Sequence, residues 1–198
     1  MATIAFPAHA KRAQLLSGVT YSYAHIPAKD SQSTILFIHG FPSSSYDWRH
    51  QIAYFSSLGY GVIAPDLLGY GETDKPILAT DYRCKKMAGE INELLNHAKV
   101  SKVHGVAHDF GSLLLSRLAT YHHERLLSLS FVASPYKEPG KSMNIDAFNA
   151  ITKKDLGFER YGYWKFFEKE DASEIVKEHV SLVSLPYVVN WMRLSEPD

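Results

Sequence analysis

Apolar and polar positions along this chain switch between two periods. Residues 34–38 (Thr-Ile-Leu-Phe-Ile) and 61–65 (Gly-Val-Ile-Ala-Pro) are short, nearly unbroken apolar runs, and 100–107 and 126–133 are two further strand-like stretches. Runs of this length, rich in β-branched residues and without alternation, predict strands buried on both faces. Between them the apolar residues fall at helical spacing. Trp48, Ile52, Tyr54, Phe55 and Leu58 mark a helix over 47–58, closed by Gly59. Met87, Ile91, Leu94 and Leu95 share one face of a helix over 82–97, and residues 111–121 form a third. Residues 13–25 read as two short strands about a Ser17-Gly18 turn. Strand and helix alternating in this way predict βαβ units and a mainly parallel sheet with helices on both faces, an α/β fold.

The pattern changes after Pro135. Residues 143–183 carry an aromatic cluster, Tyr161-Gly162-Tyr163-Trp164-Lys165-Phe166-Phe167, within acidic helical stretches and hold no β-rich run. The predicted division is a core over 1–135 and a helical segment over 136–198. The strand at 126–133 is then expected to be an exposed apolar edge, which invites pairing or aggregation. Residues 183–192 lose the acidic-helical pattern before them. A truncated gene product or an altered reading frame past about residue 180 is expected on that ground.

Composition narrows the function classes. Of 198 residues, 45% are hydrophobic and 21% charged, ordinary for a soluble globular chain. Lys plus Arg equals Asp plus Glu, at 21 each, so no net field draws the chain to nucleic acid or to a membrane surface. No apolar run approaches the roughly 20 residues needed to cross a bilayer. Cys84 is the one cysteine, which rules out an intrachain disulfide and suits a reducing compartment. Residues 1–12 do not read as a signal peptide and 196–198 are not a peroxisomal tripeptide, so a cytoplasmic location is expected. The oligomeric state stays open. His122-His123 reads as a solvated helix end, and neither a metal nor a cofactor is expected.

One stretch carries chemistry. Gly105-Val106-Ala107-His108-Asp109-Phe110-Gly111-Ser112 joins a predicted buried strand to a predicted helix, with small residues two before and two after the aspartate. This is the form of a nucleophile elbow, in which a sharp strand-to-helix turn exposes the central side chain. Elbows usually carry serine, which needs a base to become nucleophilic. A carboxylate is already ionised at neutral pH, with a reference pKa of about 3.9. Attack on an acyl carbon would give it only a labile anhydride, whereas attack on a saturated electrophilic carbon gives an alkyl ester that water can cleave. Asp109 therefore points to epoxide opening or halide displacement. His39-Gly40-Phe41-Pro42 follows another strand and is placed to aim the Phe41 N–H where the Phe110 N–H also points, forming an oxyanion hole. The alternative for those four residues is a plain Gly-Pro turn.

These two motifs, together with the loop Asp66-Leu67-Leu68-Gly69-Tyr70-Gly71-Glu72-Thr73 between them, resemble the α/β-hydrolase superfamily and, within it, soluble epoxide hydrolases of the fungal type. The resemblance runs over roughly residues 13–180. It implies Asp109 as nucleophile, the backbone of Phe41 and Phe110 as oxyanion donors, and a helical cap beginning after Pro135. It also implies a cap tyrosine that protonates the epoxide oxygen; Tyr163 matches that position best and Tyr161 is the neighbour, although both also read as packing residues of a cap helix. The implied substrate is a small apolar epoxide, and some relatives of this kind serve secondary-metabolite or toxin pathways. Haloalkane dehalogenases share the core but place a side-chain donor after the nucleophile, which Phe110 does not supply. Epoxide hydrolases also use a carboxylate and a late histidine. Glu138 is the candidate acid here, and His179, inside the predicted cap, is the one histidine after His123. Without the base, an alkyl ester on Asp109 would persist, so an inactive, ligand-binding or single-turnover chain is the second reading.

Overall fold

The computed structural model describes residues 1–141 and 144–178. The predicted strands become β3 (Thr34–Ile38), β4 (Gly61–Pro65), β5 (Val103–His108) and β6 (Leu126–Val132); burial alternates along β5, and β6 is largely exposed. With β1 (Ala10–Gln14) and β2 (Thr20–Ile26) they form one six-stranded sheet in the order β1-β2-β4-β3-β5-β6. The four runs pair in parallel, and the β1–β2 hairpin adds antiparallel to β4. All five residues of β3 and of β4 are buried, as unbroken apolar runs demand. The hairpin starts three residues before the predicted boundary, at Ala10, where Lys11 and Arg12 hide the strand from a hydrophobicity reading.

Both faces of the sheet are covered. Helices α3 (Cys84–His97) and α4 (Phe110–Tyr121) lie on one side, where Met87, Ile91, Leu94, Leu95, Leu114, Leu115 and Leu118 expose no surface. Each such side chain stabilises the fold by about 1.5–3 kcal/mol on burial. On the other face α1 (Ala2–Ala5) and α2 (Arg49–Ser57) pack Trp48 and Ile52 onto Phe37 and Val62. Tyr54 and Leu58, two of the apolar residues that mark this helix in the sequence, are exposed. Tyr54 stands two residues, about 200°, round the helix from Ile52.

Past the sheet come α5 (Ile145–Leu156), α6 (Gly162–Phe167) and α7 (Ala172–Glu178), with no strand among the described residues after Val132. Phe167, Ala172 and Val176 join the α3–α4 side of the core, so this segment docks on the sheet unit. The edge strand β6 pairs with β5 alone among the described residues, and Leu127, Leu129 and Val132 are exposed along it. His179 and the stretch 183–192 lie outside the described residues. No helix among the described residues is long and apolar enough to cross a membrane.

Candidate active site

Strand β5 delivers Asp109 at the point where the chain turns into α4. Asp109 adopts φ 52° and ψ −119°, a backbone region that side chains other than glycine rarely enter. Its N–H donates to the Val132 carbonyl at 3.1 Å, tying the turn to β6, and its carbonyl accepts from the Ser112 N–H at 3.0 Å. The flanking small residues have a steric cause. A Cβ on Gly111 would stand 2.5 Å from the His39 carbonyl oxygen and 2.6 Å from that of Ile38. One on Gly40 would stand 2.6 Å from Asp109 Cβ. The loop after β3 and the elbow therefore touch backbone to backbone, and glycine is what lets them meet.

That approach puts the Phe41 N–H on the Asp109 carboxylate. It donates to Oδ1 at 3.0 Å, across 68 residues of sequence, beside a cis Phe41-Pro42 bond. One carboxylate oxygen is thus held in the position where an oxyanion hole would act.

The loop after β3 is fixed by groups that sequence reading passed over. His39, almost fully buried, accepts from the Leu67 N–H at Nε2 (2.9 Å) while Nδ1 contacts the Gly40 carbonyl at 2.9 Å. Both contacts hold together only in the neutral ring with the proton on Nδ1, and burial pulls its pKa down, so the ring stays neutral. Asp66 is fully buried; its Oδ1 accepts from the Ser45 N–H at 3.1 Å and the Ser45 hydroxyl at 2.6 Å. The Thr73 hydroxyl donates to the Asp66 carbonyl at 2.7 Å and accepts from the Ser22 N–H at 2.9 Å. Residues 66–76 form the expected loop, yet Asp66, Leu67, Leu68 and Thr73 are completely buried in it. A carboxylate immediately after a buried strand was the available signal for Asp66; its partner 21 positions away was not visible.

Two tyrosines feel the Asp109 charge. Tyr70 meets the His39 ring edge-on at 5.0 Å; burial raises its pKa and Asp109 adds to the rise. Tyr163, the predicted cap donor, stacks on Phe41 with ring centroids 5.9 Å apart and planes 9° from parallel. Burial raises its pKa first and Asp109 further, while the Trp164 side chain pulls the other way. Both phenols therefore keep their protons to higher pH than a free tyrosine. Tyr161 packs against Phe148 and Trp164, and its N–H donates to Asn149 Oδ1 at 2.8 Å.

Other predicted candidates lie elsewhere. Glu138, the candidate acid, is an exposed residue in an ion pair with Lys141 at 2.5 Å, so the structure gives it no part in the Asp109 cluster. His104 bonds Ser128 Oγ at 2.8 Å across β5 and β6. His122 and His123 sit at the end of α4 beside Glu124. No group of residues suited to hold a metal ion occurs among the described residues.

A family profile described as alpha/beta hydrolase fold matches residues 33–189. The chain belongs to the α/β-hydrolase fold family. Among its relatives, epoxide hydrolase 2 of Siraitia grosvenorii is 33% identical over 135 residues, covering 68% of this chain and 43% of that protein. The epoxide hydrolase srdG of Neurospora crassa is 34% identical over 151 residues, covering 72% and 44%. Among solved structures, the epoxide hydrolase VrEH1 of Vigna radiata superposes with a TM-score of 0.71 at 29% identity, over 87% of this chain and 54% of that one. The chain thus spans about half the length of the relatives it matches.

Proposed function

We propose that this α/β-hydrolase-fold chain carries epoxide hydrolase chemistry with Asp109 as the nucleophile. The observation that carries the proposal is the Phe41 N–H bonded to Oδ1 of a carboxylate held at φ 52°. With Oδ1 occupied, Oδ2 is the oxygen that attacks a ring carbon of a small apolar epoxide. The C–O bond to that carbon breaks, and the Tyr163 hydroxyl gives its proton to the departing oxygen. Its raised pKa keeps the proton in place until alkoxide develops. The product is an alkyl ester on Asp109. When water adds to the ester carbonyl and gives one proton back to the Tyr163 phenolate, negative charge develops on Oδ1, where the N–H groups of Phe41 and Phe110 act as donors. Collapse breaks the bond from the carbonyl carbon to Oδ2, the second water proton passes to that oxygen, and the diol leaves as the carboxylate is restored. Halide displacement fits less well, because Phe110 offers no side-chain donor to a departing halide.

The aromatic surface made by Phe41, Tyr161, Tyr163 and Phe167 supports an apolar substrate. Similarity to a fungal epoxide hydrolase is what supports a place in fungal secondary metabolism. Among the described residues no histidine is hydrogen-bonded to Asp109, and that favours a second reading, in which the ester forms once and persists. Mass spectrometry after incubation with styrene oxide tests both. One epoxide mass on the peptide containing Asp109, absent in Asp109→Asn, is the expected result. Persistence of that mass over hours supports single turnover, and its decay with diol release supports catalysis. A folded chain with no adduct and no diol overturns the proposal.

A further inference from the structure

At the opposite end of the sheet from Asp109 lies a cavity of about 570 Å³ that the chemistry above does not use. Thr34 and Leu127, near the starts of β3 and β6, line it together with His25 of β2. Strand β5 runs from this end to the elbow in six residues, so the two sites are about 20 Å apart. Among the described residues the wall consists of His25, Gln32, Ser33, Thr34, Ser101, Lys99 and Lys102 with a few apolar residues, and contains no carboxylate. It therefore draws on two lysines, three hydroxyl-bearing residues and a glutamine, with Pro27, Ala28, Val100 and Leu127 beside them.

Three observations describe the surroundings of this wall. Lys99 adopts φ 56°, in the left-handed region at the end of α3 where glycine normally stands. A lysine there costs about 1 kcal/mol against glycine, and Lys99 is one of the residues that line the cavity. The partial negative charge of the α3 C-terminus is already answered. The carbonyls of Leu94, Leu95 and Asn96 accept from the N–H groups of Ala98, Val100 and Lys99, and the Arg125 guanidinium donates to the Val100 carbonyl at 2.7 Å. Finally, His25 sits against Tyr23, with ring centroids 6.3 Å apart, and is crowded by positive charge from Lys11 and His9. Burial holds its pKa down, and that crowding adds to the effect. An anion in the cavity would relieve it.

We propose that this cavity binds the phosphate group of a small phosphorylated molecule, with Lys99 and Lys102 as its cationic partners and Ser33, Thr34 and Ser101 as hydroxyl donors. A volume near 570 Å³ falls within the range of small-molecule sites. The apolar residues beside the lysines suit an organic body attached to the phosphate.

The test uses inorganic pyrophosphate and hexyl phosphate as probes on the full chain, by calorimetry and by proton NMR of His25. Both probes are expected to bind and to move the His25 titration upward at saturation. Lys99→Gly and Lys102→Ala are each expected to weaken binding at least tenfold, which corresponds to 1.4 kcal/mol, whereas Lys154→Ala on α5 is expected to leave it unchanged. Lys99→Gly keeps the backbone its position favours, so its melting temperature should stay within about 2 °C; Lys99→Asn serves should it fail to fold. Absence of binding at millimolar probe, equal loss in the Lys154 variant, or unchanged binding in the lysine variants overturns the proposal. Adduct formation at Asp109 is read separately, so failure of either site leaves the other standing.

Discussion

Asp109 and Lys99 are both non-glycine residues at positive φ, and they flank β5 at its two ends. Their surroundings differ in kind. Asp109 is wedged where two backbone segments touch, with Gly40 and Gly111 as the spacers that permit contact. Lys99 is an exposed helix terminator whose strain is confined to one residue. The contrast shows that the same backbone outlier has two causes. At the elbow the whole architecture enforces it, and removing it disturbs three segments; at the end of α3 the helix stop calls for a left-handed residue, and glycine would adopt it without strain.

The sharpest way to break the elbow is Gly111→Ala. Its Cβ would stand 2.5 Å from a backbone oxygen that has no free end to swing away. We expect a loss of about 3 kcal/mol, a fall in melting temperature of about 6–12 °C, and loss of the Asp109 adduct. Asp109→Asn keeps the backbone and the shape, so stability should change by less than about 1 kcal/mol while the adduct disappears. With that charge gone, the pKa values of Tyr70 and Tyr163 should fall toward, without reaching, the ordinary tyrosine range, because burial remains the larger cause. NMR of labelled tyrosines reads the shift; unchanged titrations would mean that Asp109 and the phenols do not share one site.

The helix that ends at Lys99 offers a milder probe. Glu90, on α3, is buried against the β1–β2 hairpin, where Oε2 accepts from the Tyr21 hydroxyl at 2.9 Å. Burial raises its pKa despite that bond. The folded state thus prefers the protonated acid, and ionisation costs stability at neutral pH. That cost vanishes as pH falls through the raised value toward the unfolded one. Glu90→Gln keeps an acceptor for Tyr21 and should raise the melting temperature by about 2 °C at pH 7, with the gain closing below about pH 4. A gain that persists in acid would assign the effect to packing instead. Lys99→Gly should change stability least of all, since relief of the left-handed lysine offsets the loss of a cation at the helix end. A large drop there would make the two ends of β5 alike and remove the contrast.

Much of the sheet was legible in the residue pattern. The runs at 34–38 and 61–65 became strands with those boundaries, and 126–133 became an edge strand with Leu127 and Leu129 exposed. Legibility failed where a polar residue makes the structure. Lys11 and Arg12 hid the start of β1, and Ala2–Ala5 is too short to show a period. At the site, the Asp109 elbow could be read because strand, turn and helix adjoin in sequence. The bonds of Asp66 to Ser45 and of His39 to Leu67 join residues 21 and 28 positions apart, and local pattern does not encode them.

The sequence by itself determined the α/β class and the carboxylate in the elbow. Apolar periodicity selects the elements, and residue identity at the turn places a carboxylate there. Only the tertiary structure decided which atoms face that carboxylate. The Phe41 N–H reaches Oδ1 because sheet order brings the ends of β3 and β5 side by side, while Tyr163 lies on Phe41 and Glu138 stays on the surface beside Lys141. The cavity beside Lys99 arises in the same way, from strand starts that are distant along the chain and adjacent in the sheet.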